Sequence, residues 1–429
     1  MTIFLKGINS VYIRKIQLEN IKSFKNFTWQ LEDEENPVGW HVILGDNGSG
    51  KSTFIKSVSL ALLGTTDAKR TKVPFGEWVK QGSSAGFIRL EIQHTKIDNW
   101  AGKGKQQSEN LKFSLKLSSN GELTHHGTPS PTRHVWGGKT GWFSAAYGPY
   151  RRFTGGSSDY QKLFYSAPLL ARHLSVFGED IALSETLDWL KELKFKSLET
   201  NGAKKYELLN NIITFINQDD LLPNSVKLNE VTSDGITFID GFDNIVDINS
   251  LSDGYRTVLS MMLELIRQMT ICYDTDSIFS PDLKRIIKPG VVFIDEIDVH
   301  LHPKWQRTIG KWLTSHFPEI QFIVSTHSAL ICQSANPGSI WKLPSPHYPG
   351  ERITGNALNR LIYGDLLEAI STGAFGNEIK RSDDAKFLME ELADLNIQAM
   401  IQELNEEQKE RRKDLQAIFG SNSNLTSKG

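Results

Sequence analysis

Residues 42–53 read VILGDNGSGKST, in which three aliphatic residues precede a glycine-rich loop that ends in Lys-Ser-Thr. The spacing Gly45-x-x-x-x-Gly50-Lys51-Ser52 is that of a phosphate-binding P-loop. Glycines let the backbone wrap closely around a polyphosphate, so that N–H groups and the N-terminus of the next helix point at anionic oxygens. The aliphatic residues predict a buried parallel strand before the loop, and the apolar spacing of residues 53–64 predicts a helix after it.

The P-loop is expected to bind ATP through its backbone and through two side chains. Lys51 places a positive charge near the β- and γ-phosphates, and Ser52 offers a hydroxyl to Mg2+. ATP and Mg2+ are therefore the expected cofactors. The residues expected to contact ATP are Gly45, Asp46, Asn47, Gly48, Ser49, Gly50, Lys51, Ser52 and Thr53.

The composition narrows the class of protein. Charged residues make up 23% of the 429 residues and the formal net charge is −2, so nucleic acid could be contacted only through a local basic patch. Two cysteines, Cys272 and Cys332, exclude a disulfide framework and a zinc site built from cysteines. The N-terminus lacks a signal-peptide pattern, and the chain has no apolar run of about 18 residues. These features predict a soluble cytoplasmic protein without a membrane partner.

A second anion site is predicted at LSDGYRTVLSMMLELIRQM, residues 251–269. Ser252, Asp253 and Gly254 stand at the start of a strongly apolar helix, where a hydroxyl and free N–H groups are presented to a ligand. One protomer has no obvious need for two sites that hold a single γ-phosphate.

Two apolar segments further along carry acidic and histidine side chains. Residues 290–306, GVVFIDEIDVHLHPKWQ, predict a strand that brings Asp295 to its carboxyl end to help hold Mg2+, with Glu296 beside it to polarise the attacking water. Residues 321–331, QFIVSTHSALI, predict another strand, which ends near His327. The 32 residues from Asp295 to His327 suit a strand–helix–strand crossover, which would bring both side chains to the edge of the sheet beside the P-loop.

Together these motifs resemble the ATPase heads of the ABC superfamily, in its SMC, RecF and overcoming-lysogenization branch. The resemblance implies an ATP-sandwiched homodimer, or a higher oligomer, in which the signature sequence of one protomer closes over the ATP of the other. Asp253 replaces a glycine common in transporters. This resemblance implies that Lys51 and Ser52 are the Walker A residues, that Asp295 and Glu296 are the Walker B residues, and that Ser252, Asp253 and Gly254 form the signature. It also implies that Asp298 is the D-loop residue and His327 the switch histidine. The implied catalytic residues are Lys51, Glu296 and His327, and the implied metal ligands are Ser52 and Asp295.

The Q-loop, which supplies a further metal ligand in this family, is open. Gln81 in VKQGSS is one candidate, but it precedes its predicted strand, whereas the family residue usually follows one. The segment YGPYRR at residues 147–152 occupies that later place without a glutamine. Gln81 is therefore interpreted either as the Q-loop residue or as an ordinary surface residue.

A closer resemblance lies outside these motifs. SAAYGPYRRF (144–153), DEIDVHLHPKWQ (295–306) and NRLIYGDLLEAISTGAFG (359–376) resemble the PtuA family of ATPase subunits of Septu-type anti-phage systems, which also occur as retron effectors. This resemblance implies control of a separate HNH nuclease, with a retron reverse transcriptase and its nucleic acid as further partners. The alternative is a RecF-like DNA-binding ATPase of repair or recombination. A transporter subunit is disfavoured because about 200 residues separate Walker A from the signature.

The predicted fold class is α/β, an ABC-type P-loop ATPase head with a mixed central sheet, an antiparallel β subdomain, a helical insertion and a C-terminal helical tail. Residues 1–97 form ATPase lobe I with Walker A, and 98–140 form a surface insertion. Residues 141–250 hold a strand, a helical subdomain and a β-hairpin. Residues 251–336 form lobe II with the signature, Walker B and switch histidine, and 337–429 form the C-terminal helical region.

Other candidate sites are weaker. His125 and His126 are read as solvated loop residues, because no third metal ligand has suitable spacing. Arg151 and Arg152 could contact phosphate or form surface ion pairs.

Glu378 and Lys380 with Asp365 only loosely match a nuclease site, so the chain is not expected to be a nuclease itself. The tail from Arg381 to Phe419 predicts a helical hairpin that packs on its own domain or docks a partner.

Overall fold

The computed structural model describes residues 12–93, 110–128, 131–136, 142–150, 166–178, 185–199, 202–218, 221–222, 226–232, 235–273, 278–346, 348–366, 369 and 383–419. The chain divides into two compact units, Met1–Gly364 and Asp365–Gly429. None of the helices within the described ranges is long and apolar enough to cross a membrane.

The first unit contains runs of consecutive strands separated by helices, and strands and helices alternate from Asp253 to Lys342. The strands are β1 (Tyr12–Ile21), β2 (Phe24–Gln30), β3 (Gly39–Leu44), β4 (Ala85–Gln93), β5 (Leu111–Ser118), β6 (Leu123–Thr128), β7 (Ser144–Tyr147), β8 (Lys227–Val231), β9 (Ile236–Ile239), β10 (Ile245–Asp247), β11 (Gly290–Ile294), β12 (Ile320–Thr326), β13 (Gly338–Lys342) and β14 (Glu351–Ile353). The helices are α1 (Lys51–Arg70), α2 (Phe75–Trp78), α3 (Pro168–Ala171), α4 (Glu185–Ser197), α5 (Ala203–Ile216), α6 (Asp253–Tyr273), α7 (Pro303–His316), α8 (Ala329–Cys332), α9 (Gly355–Tyr363), α10 (Asp383–Ile401) and α11 (Glu406–Phe419).

The central sheet has the strand order β14-β13-β3-β12-β11-β7, and all neighbouring pairs except β13–β14 are parallel. Every residue of β3, β11 and β12 is buried, which explains their continuous apolar sequences, because a parallel sheet is covered on both faces. Leu44 pairs with Thr326, and Ile294 pairs with Val324, so the three carboxyl ends lie at one edge. The predicted crossover is confirmed, since α7 connects the parallel strands β11 and β12.

A second sheet, in the order β2-β1-β4-β5-β6, is antiparallel. Its buried residues alternate along β4 and β5 and pack on α1, whose other face packs against the central sheet. The mixed central sheet and the antiparallel β subdomain of the prediction are therefore confirmed.

Residues 98–140 were expected to form a surface insertion, but the described part of this segment contributes more to the core than its composition indicates. Strands β5 and β6 fall within it, and the alternating Leu111, Phe113, Leu115 and Leu117 of β5 are buried. The intervening lysines and serines lie on the less buried face, which is why the sequence reads as polar. His125 and His126 lie in strand β6 and not in the expected loop, and the ring of His125 packs edge-on against Trp136 at a centroid distance of 4.9 Å.

The chain between β7 and α6 contains helices, as predicted, and ends in a small sheet. Helices α4 and α5 precede strands β8, β9 and β10, which form a three-stranded antiparallel sheet where a hairpin was expected. The third strand is short, and the burial pattern of Ile245–Asp247 shows no buried residue, which leaves little apolar signal in the sequence.

The second unit contains the predicted helical hairpin. Leu392 and Leu395 of α10 and Leu415 of α11 form its buried core. The C-terminal helical region was expected from residue 337, but β13, β14 and α9 belong to the first unit, and the division falls after Gly364. The reason is that β13 pairs in parallel with β3 and so completes the central sheet.

Candidate functional site

The P-loop follows β3 and leads into α1, as the sequence predicts. Gly48 and Gly50 adopt positive φ angles of 80° and 99°, a conformation that other residues rarely adopt. A Cβ atom at Gly50 would also lie 2.8 Å from the Ser23 Oγ and 2.9 Å from the Phe24 ring. The turn between β1 and β2 therefore packs against the P-loop at Gly50, where only glycine fits.

Lys51 is buried within the loop, with 4% of its surface exposed. Its Nζ donates hydrogen bonds to the carbonyl oxygens of Gly45 at 2.7 Å and Asp46 at 3.0 Å. An ammonium group has three donors, so the loop carbonyls use two of them. Among the described residues, the buried Ser49 hydroxyl has no hydrogen-bond partner. The loop thus presents a cation, an unsatisfied hydroxyl and the N-terminus of α1, which fit a polyphosphate.

The two acidic residues after β11 are held by the neighbouring strand. Asp295 is 1% exposed, and its Oδ1 accepts a 2.5 Å hydrogen bond from the Ser325 hydroxyl. The backbone N–H of Glu296 donates to the same Ser325 Oγ at 2.8 Å, while the N–H of Asp295 donates to the carbonyl oxygen of Tyr147 at 2.8 Å. Glu296 has a φ of 46°, which turns the chain sharply where the strand ends.

Asp298 and His327 form a pair at the same edge. The His327 Nε2 lies 3.2 Å from the Asp298 Oδ2, and the Thr326 hydroxyl donates to the Asp298 Oδ1 at 2.5 Å. Asp298 is buried, whereas 55% of the His327 side chain is exposed. The carboxylate is therefore anchored in the protein, and the imidazole that it orients faces solvent.

Gln306 on α7 joins the segment after β11 to the segment after β12. Its Nε2 donates to the carbonyl oxygens of Leu301 at 2.9 Å and Asp298 at 3.3 Å, and its Oε1 accepts a 2.7 Å hydrogen bond from the Ser328 hydroxyl. Neither Gln306 nor Ser325 has a predicted role, because the Ser328 partner of Gln306 and the acidic partners of Ser325 lie more than 20 residues away in sequence.

The predicted signature sequence lies at the start of α6. Ser252 and Asp253 are exposed, and Asp253 pairs with Arg256 one turn along the helix. A Cβ at Gly254 would lie 3.0 Å from the carbonyl oxygen of His300, so this end of the helix packs against the segment after β11. The contact that a Cβ at Gly254 would meet thus differs from the closer contacts at Gly50 of the P-loop.

Further along α6, a buried polar cluster connects the helix to its neighbours. Glu264 accepts hydrogen bonds from the Arg267 Nε at 2.7 Å, the Gln268 Nε2 at 2.7 Å and the Thr186 hydroxyl at 2.6 Å. Burial raises the pKa of the Tyr147 hydroxyl well above its usual value, and the Glu264 charge raises this pKa further. Tyr147, the last residue of β7, is thus sensitive to the Glu264 charge, and its carbonyl oxygen accepts the N–H of Asp295.

The strand beneath the P-loop contains a buried histidine. The His41 Nε2 lies 2.8 Å from the Pro37 carbonyl oxygen, so Nε2 carries the proton that it donates, and Nδ1 lies 2.9 Å from the Ser339 Oγ. Burial lowers the pKa of His41 to about 4, because a charged imidazole would lose its water.

The structure brings together most, but not all, of the predicted site residues. Gln81 lies in an exposed turn before β4, in the antiparallel sheet, whereas the strand that ends beside Asp295 is β7. Its role as a metal ligand stays a prediction. Arg151 and Arg152 fall outside the described residues.

Among the described residues no cluster of three or more His, Cys, Asp or Glu side chains could hold a metal ion. A cation bound here would need ligands from ATP as well, with Ser52 and Asp295 as the protein ligands. Glu378 and Lys380, from the loosely matching nuclease pattern, also lie outside the described residues.

The chain is similar in sequence to a family of known proteins and to several individual relatives. Residues 41–333 match the family described as "AAA domain, putative AbiEii toxin, Type IV TA system". The chain is 26% identical to the Septu protein PtuA of Bacillus mycoides (strain KBAB4), over 77% of this chain and 40% of the relative. It is 25% identical to the Retron Vc95 probable ATPase of Vibrio cholerae serotype O1 biovar El Tor, over 90% of this chain and 82% of the relative. The solved structure of an SMC head bound to the C-winged helix domain of ScpA is 13% identical, with a TM-score of 0.46, and covers 80% of this chain and 97% of its own.

Proposed function

Because the chain belongs to this AAA-domain family, we propose that it binds ATP at the P-loop and hydrolyses it to ADP and phosphate. The observation that carries the proposal is the edge formed by three adjacent parallel strands. There β3 leads into the P-loop, β12 ends before His327, and β11 ends before Asp295 and Glu296. Strands in a sheet lie about 4.8 Å apart, so these groups meet within the length of a triphosphate.

The P-loop binds the phosphates before any chemistry occurs. Lys51 exchanges loop carbonyls for phosphate oxygens, while the N–H groups at the start of α1 contact the same charges. Ser52 and Asp295 would hold Mg2+, which supplies charge neutralisation for the transferred phosphoryl group. The short hydrogen bond from Ser325 keeps the Asp295 carboxylate in one orientation.

Glu296 is the proposed general base, and His327 is the proposed contact to the γ-phosphate. Glu296 directly follows the buried Asp295, and its left-handed backbone carries the side chain away from the direction of the strand. A carboxylate at this point can accept a proton from the attacking water. Asp298 orients His327 and holds it toward solvent, where a phosphate would approach.

The site is proposed to be completed by a second copy of the chain. Ser252 and Asp253 are exposed at the N-terminus of α6, which contacts His300 and not the glycines of the P-loop. A helix N-terminus attracts phosphate, so a signature supplied by the partner could close over ATP. ATP then favours the closed dimer by the difference in its affinity for the open and closed states.

The proposed biological role is in anti-phage defence, with this ATPase controlling a separate HNH nuclease. The support is the similarity to a Septu protein and to a retron ATPase. The match spans 40% of the Septu relative's length, so this role, a retron reverse transcriptase partner and its nucleic acid are proposals for the chain as a whole. The test is whether an HNH nuclease encoded beside the gene copurifies with the chain and cleaves DNA differently with and without ATP. DNA-stimulated ATP turnover without any copurifying nuclease would favour the RecF-like alternative.

Glu296→Gln tests the hydrolytic step, because glutamine keeps the size and hydrogen bonding of the side chain but cannot act as a base. We expect turnover to fall about 100-fold or more, while ATP stays bound and closed dimers accumulate. Turnover and dimer mass are measured in the same preparation. Full turnover by this variant would refute the role of Glu296.

A mixing experiment tests the shared site. Ser252→Arg protomers lack a usable signature, and Lys51→Ala protomers lack a usable P-loop. A mixed dimer combines both defects in one site and leaves the other site intact, so an equal mixture should recover roughly a quarter of wild-type turnover. Crosslinking between Asn47→Cys and Asp253→Cys protomers, seen only with ATP, verifies the contact, since Asn47 and Asp253 are exposed and both native cysteines are buried. If the mixture recovers no turnover and no crosslink forms with ATP, the shared site is contradicted.

A further inference from the structure

The hydroxyl of Ser325 is the contact that both acidic residues of the site share. It donates to the Asp295 Oδ1 at 2.5 Å and accepts from the Glu296 N–H at 2.8 Å. The carbonyl oxygen of Ser325 also accepts the N–H of Ile297 at 3.1 Å. Three consecutive residues after β11 are therefore tied to one residue of β12.

This arrangement arises where the parallel ladder stops. Ile294 pairs with Val324, and it is the last residue of β11 to do so, while Ser325 still pairs with Ile43 on its other side. At Glu296 the backbone turns with a φ of 46° and leaves the plane of the sheet. The Ser325 hydroxyl replaces the ladder partner that the Glu296 N–H would otherwise lack, and so stabilises the turned backbone.

We propose that Ser325 is a positioning residue that sets the orientation of the Asp295 carboxylate and the backbone of Glu296 for Mg·ATP. This inference rests on the proposed ATPase function. Ser325 is fully buried, and its hydroxyl hydrogen-bonds the Asp295 carboxylate and the Glu296 N–H, so it acts through the two acids. A carboxylate with one oxygen held at 2.5 Å cannot rotate freely, and a fixed carboxylate binds a cation with less loss of entropy.

The sequence contains a matched control. Ser339 is also a buried serine of the central sheet, and its hydroxyl bonds the ring of His41, away from the acidic pair. Ser339→Ala therefore removes a buried hydrogen bond of the same kind without affecting Asp295 or Glu296. Ser325→Thr keeps the hydroxyl and serves as the conservative variant.

The first test uses the nucleotide-free protein. Amide hydrogen exchange at single-residue resolution should accelerate at Glu296 in Ser325→Ala by about tenfold or more, because its N–H loses the acceptor. Exchange at Ile297 should change less, since its acceptor is a backbone carbonyl. Ser325→Thr and Ser339→Ala should leave the Glu296 amide protected.

The second test measures the Mg2+ concentration that half-saturates ATP binding, together with kcat and KM. Ser325→Ala should raise the Mg2+ requirement about tenfold and lower kcat about tenfold or more, as expected for loss of a contact behind a metal ligand. KM for ATP should change little, because the P-loop is intact. Ser325→Thr should restore both values toward wild type.

The outcomes separate this inference from the proposed function. Unchanged Glu296 exchange together with an unchanged Mg2+ requirement in Ser325→Ala would overturn the positioning role. Wild-type protein that binds Mg·ATP without hydrolysing it would refute the ATPase proposal, while the exchange and Mg2+ measurements would still decide the role of Ser325.

Discussion

Helices α1 and α6 both begin at a glycine-containing loop that the sequence predicts to contact phosphate, but their surroundings differ. At α1, Lys51 is 4% exposed and Gly50 is pressed against Ser23 and Phe24. At α6, the Asp253 side chain is 70% exposed, and a Cβ added at Gly254 would come close, within the described part of the chain, to only the carbonyl oxygen of His300. The first N-terminus is a preformed anion site, whereas the second has the exposure expected of a surface that a partner covers.

The two glycines are required for different reasons. Gly50 needs the left-handed backbone, with a φ of 99°, as well as the absence of a side chain. Gly254 has no left-handed backbone, and a Cβ there would lie 3.0 Å from the carbonyl oxygen of His300, which would have to shift by a few tenths of an ångström. The P-loop is thus specified by backbone geometry, and the signature by packing.

The largest contrast is expected in ATP affinity. Lys51→Ala should weaken ATP binding on the order of 1,000-fold, because it removes several charge-assisted hydrogen bonds worth about 4 kcal/mol together. Ser252→Arg should change binding to a single protomer less than about twofold. Labelled ATP binding at low protein concentration measures both, with Lys69→Ala, at the opposite end of α1, as the charge control. Equal losses in the two variants would erase the distinction between the helices.

Acid should destabilise the folded protein through His41, which lies in β3, the strand that leads into the P-loop. Its folded pKa of about 4 lies below the ordinary value of 6.5, so the unfolded chain binds a proton first as the pH falls. The stability is complete above pH 6.5 and is lost progressively toward pH 4, by about 3 kcal/mol.

Urea unfolding at pH 7.0 and 4.5 compares wild type with His41→Gln, which cannot titrate. The stability loss on acidification should be smaller in the variant by about 2–3 kcal/mol. An identical loss in both proteins would show that His41 takes up a proton in the folded protein as readily as in the unfolded chain, so that its folded pKa is not lowered. The α6 segment, residues 253–273, contains no histidine that could produce the same effect.

Alanine at the two glycines should separate backbone strain from crowding. Gly50→Ala should lower the free energy of unfolding by about 2 kcal/mol and weaken ATP binding, because the left-handed conformation and the Phe24 contact both oppose a Cβ. Gly254→Ala should cost less than about 1 kcal/mol. Chemical denaturation of the two variants side by side gives the difference, and a larger cost at Gly254 would reverse the interpretation.

The smallest effect is expected at the exposed ion pair of α6. Asp253→Asn removes the charge that pairs with Arg256, and exposed pairs one turn apart contribute at most about 0.5 kcal/mol. The denaturation midpoint should therefore shift by little more than experimental error. A loss above about 1 kcal/mol would mean that this helix start is part of the folded core and not a surface awaiting a partner.

Much of the site could be predicted because its chemistry depends on local spacing. The P-loop and the crossover from β11 to β12 follow from apolar runs bounded by glycine or by acidic residues. The hairpin of β5 and β6 was not predicted as core, because its lysines and serines mask an alternating apolar face. The boundary near residue 337 was also missed, since β13 joins the sheet through pairing with β3, almost 300 residues earlier.

The sequence by itself predicted the P-loop, the parallel strands and the positions of Asp295, Glu296 and His327 directly after two of those strands, because each is encoded within a short segment whose periodicity sets its local structure. Tertiary structure decided which side chains support them. Ser325 reaches two acids about 30 residues away, and Gln306 ties two loops together, because strand register and helix placement bring these side chains into contact. Hydrogen bonds between distant residues leave no periodic pattern in the sequence, so these contacts become visible only once the sheet has formed.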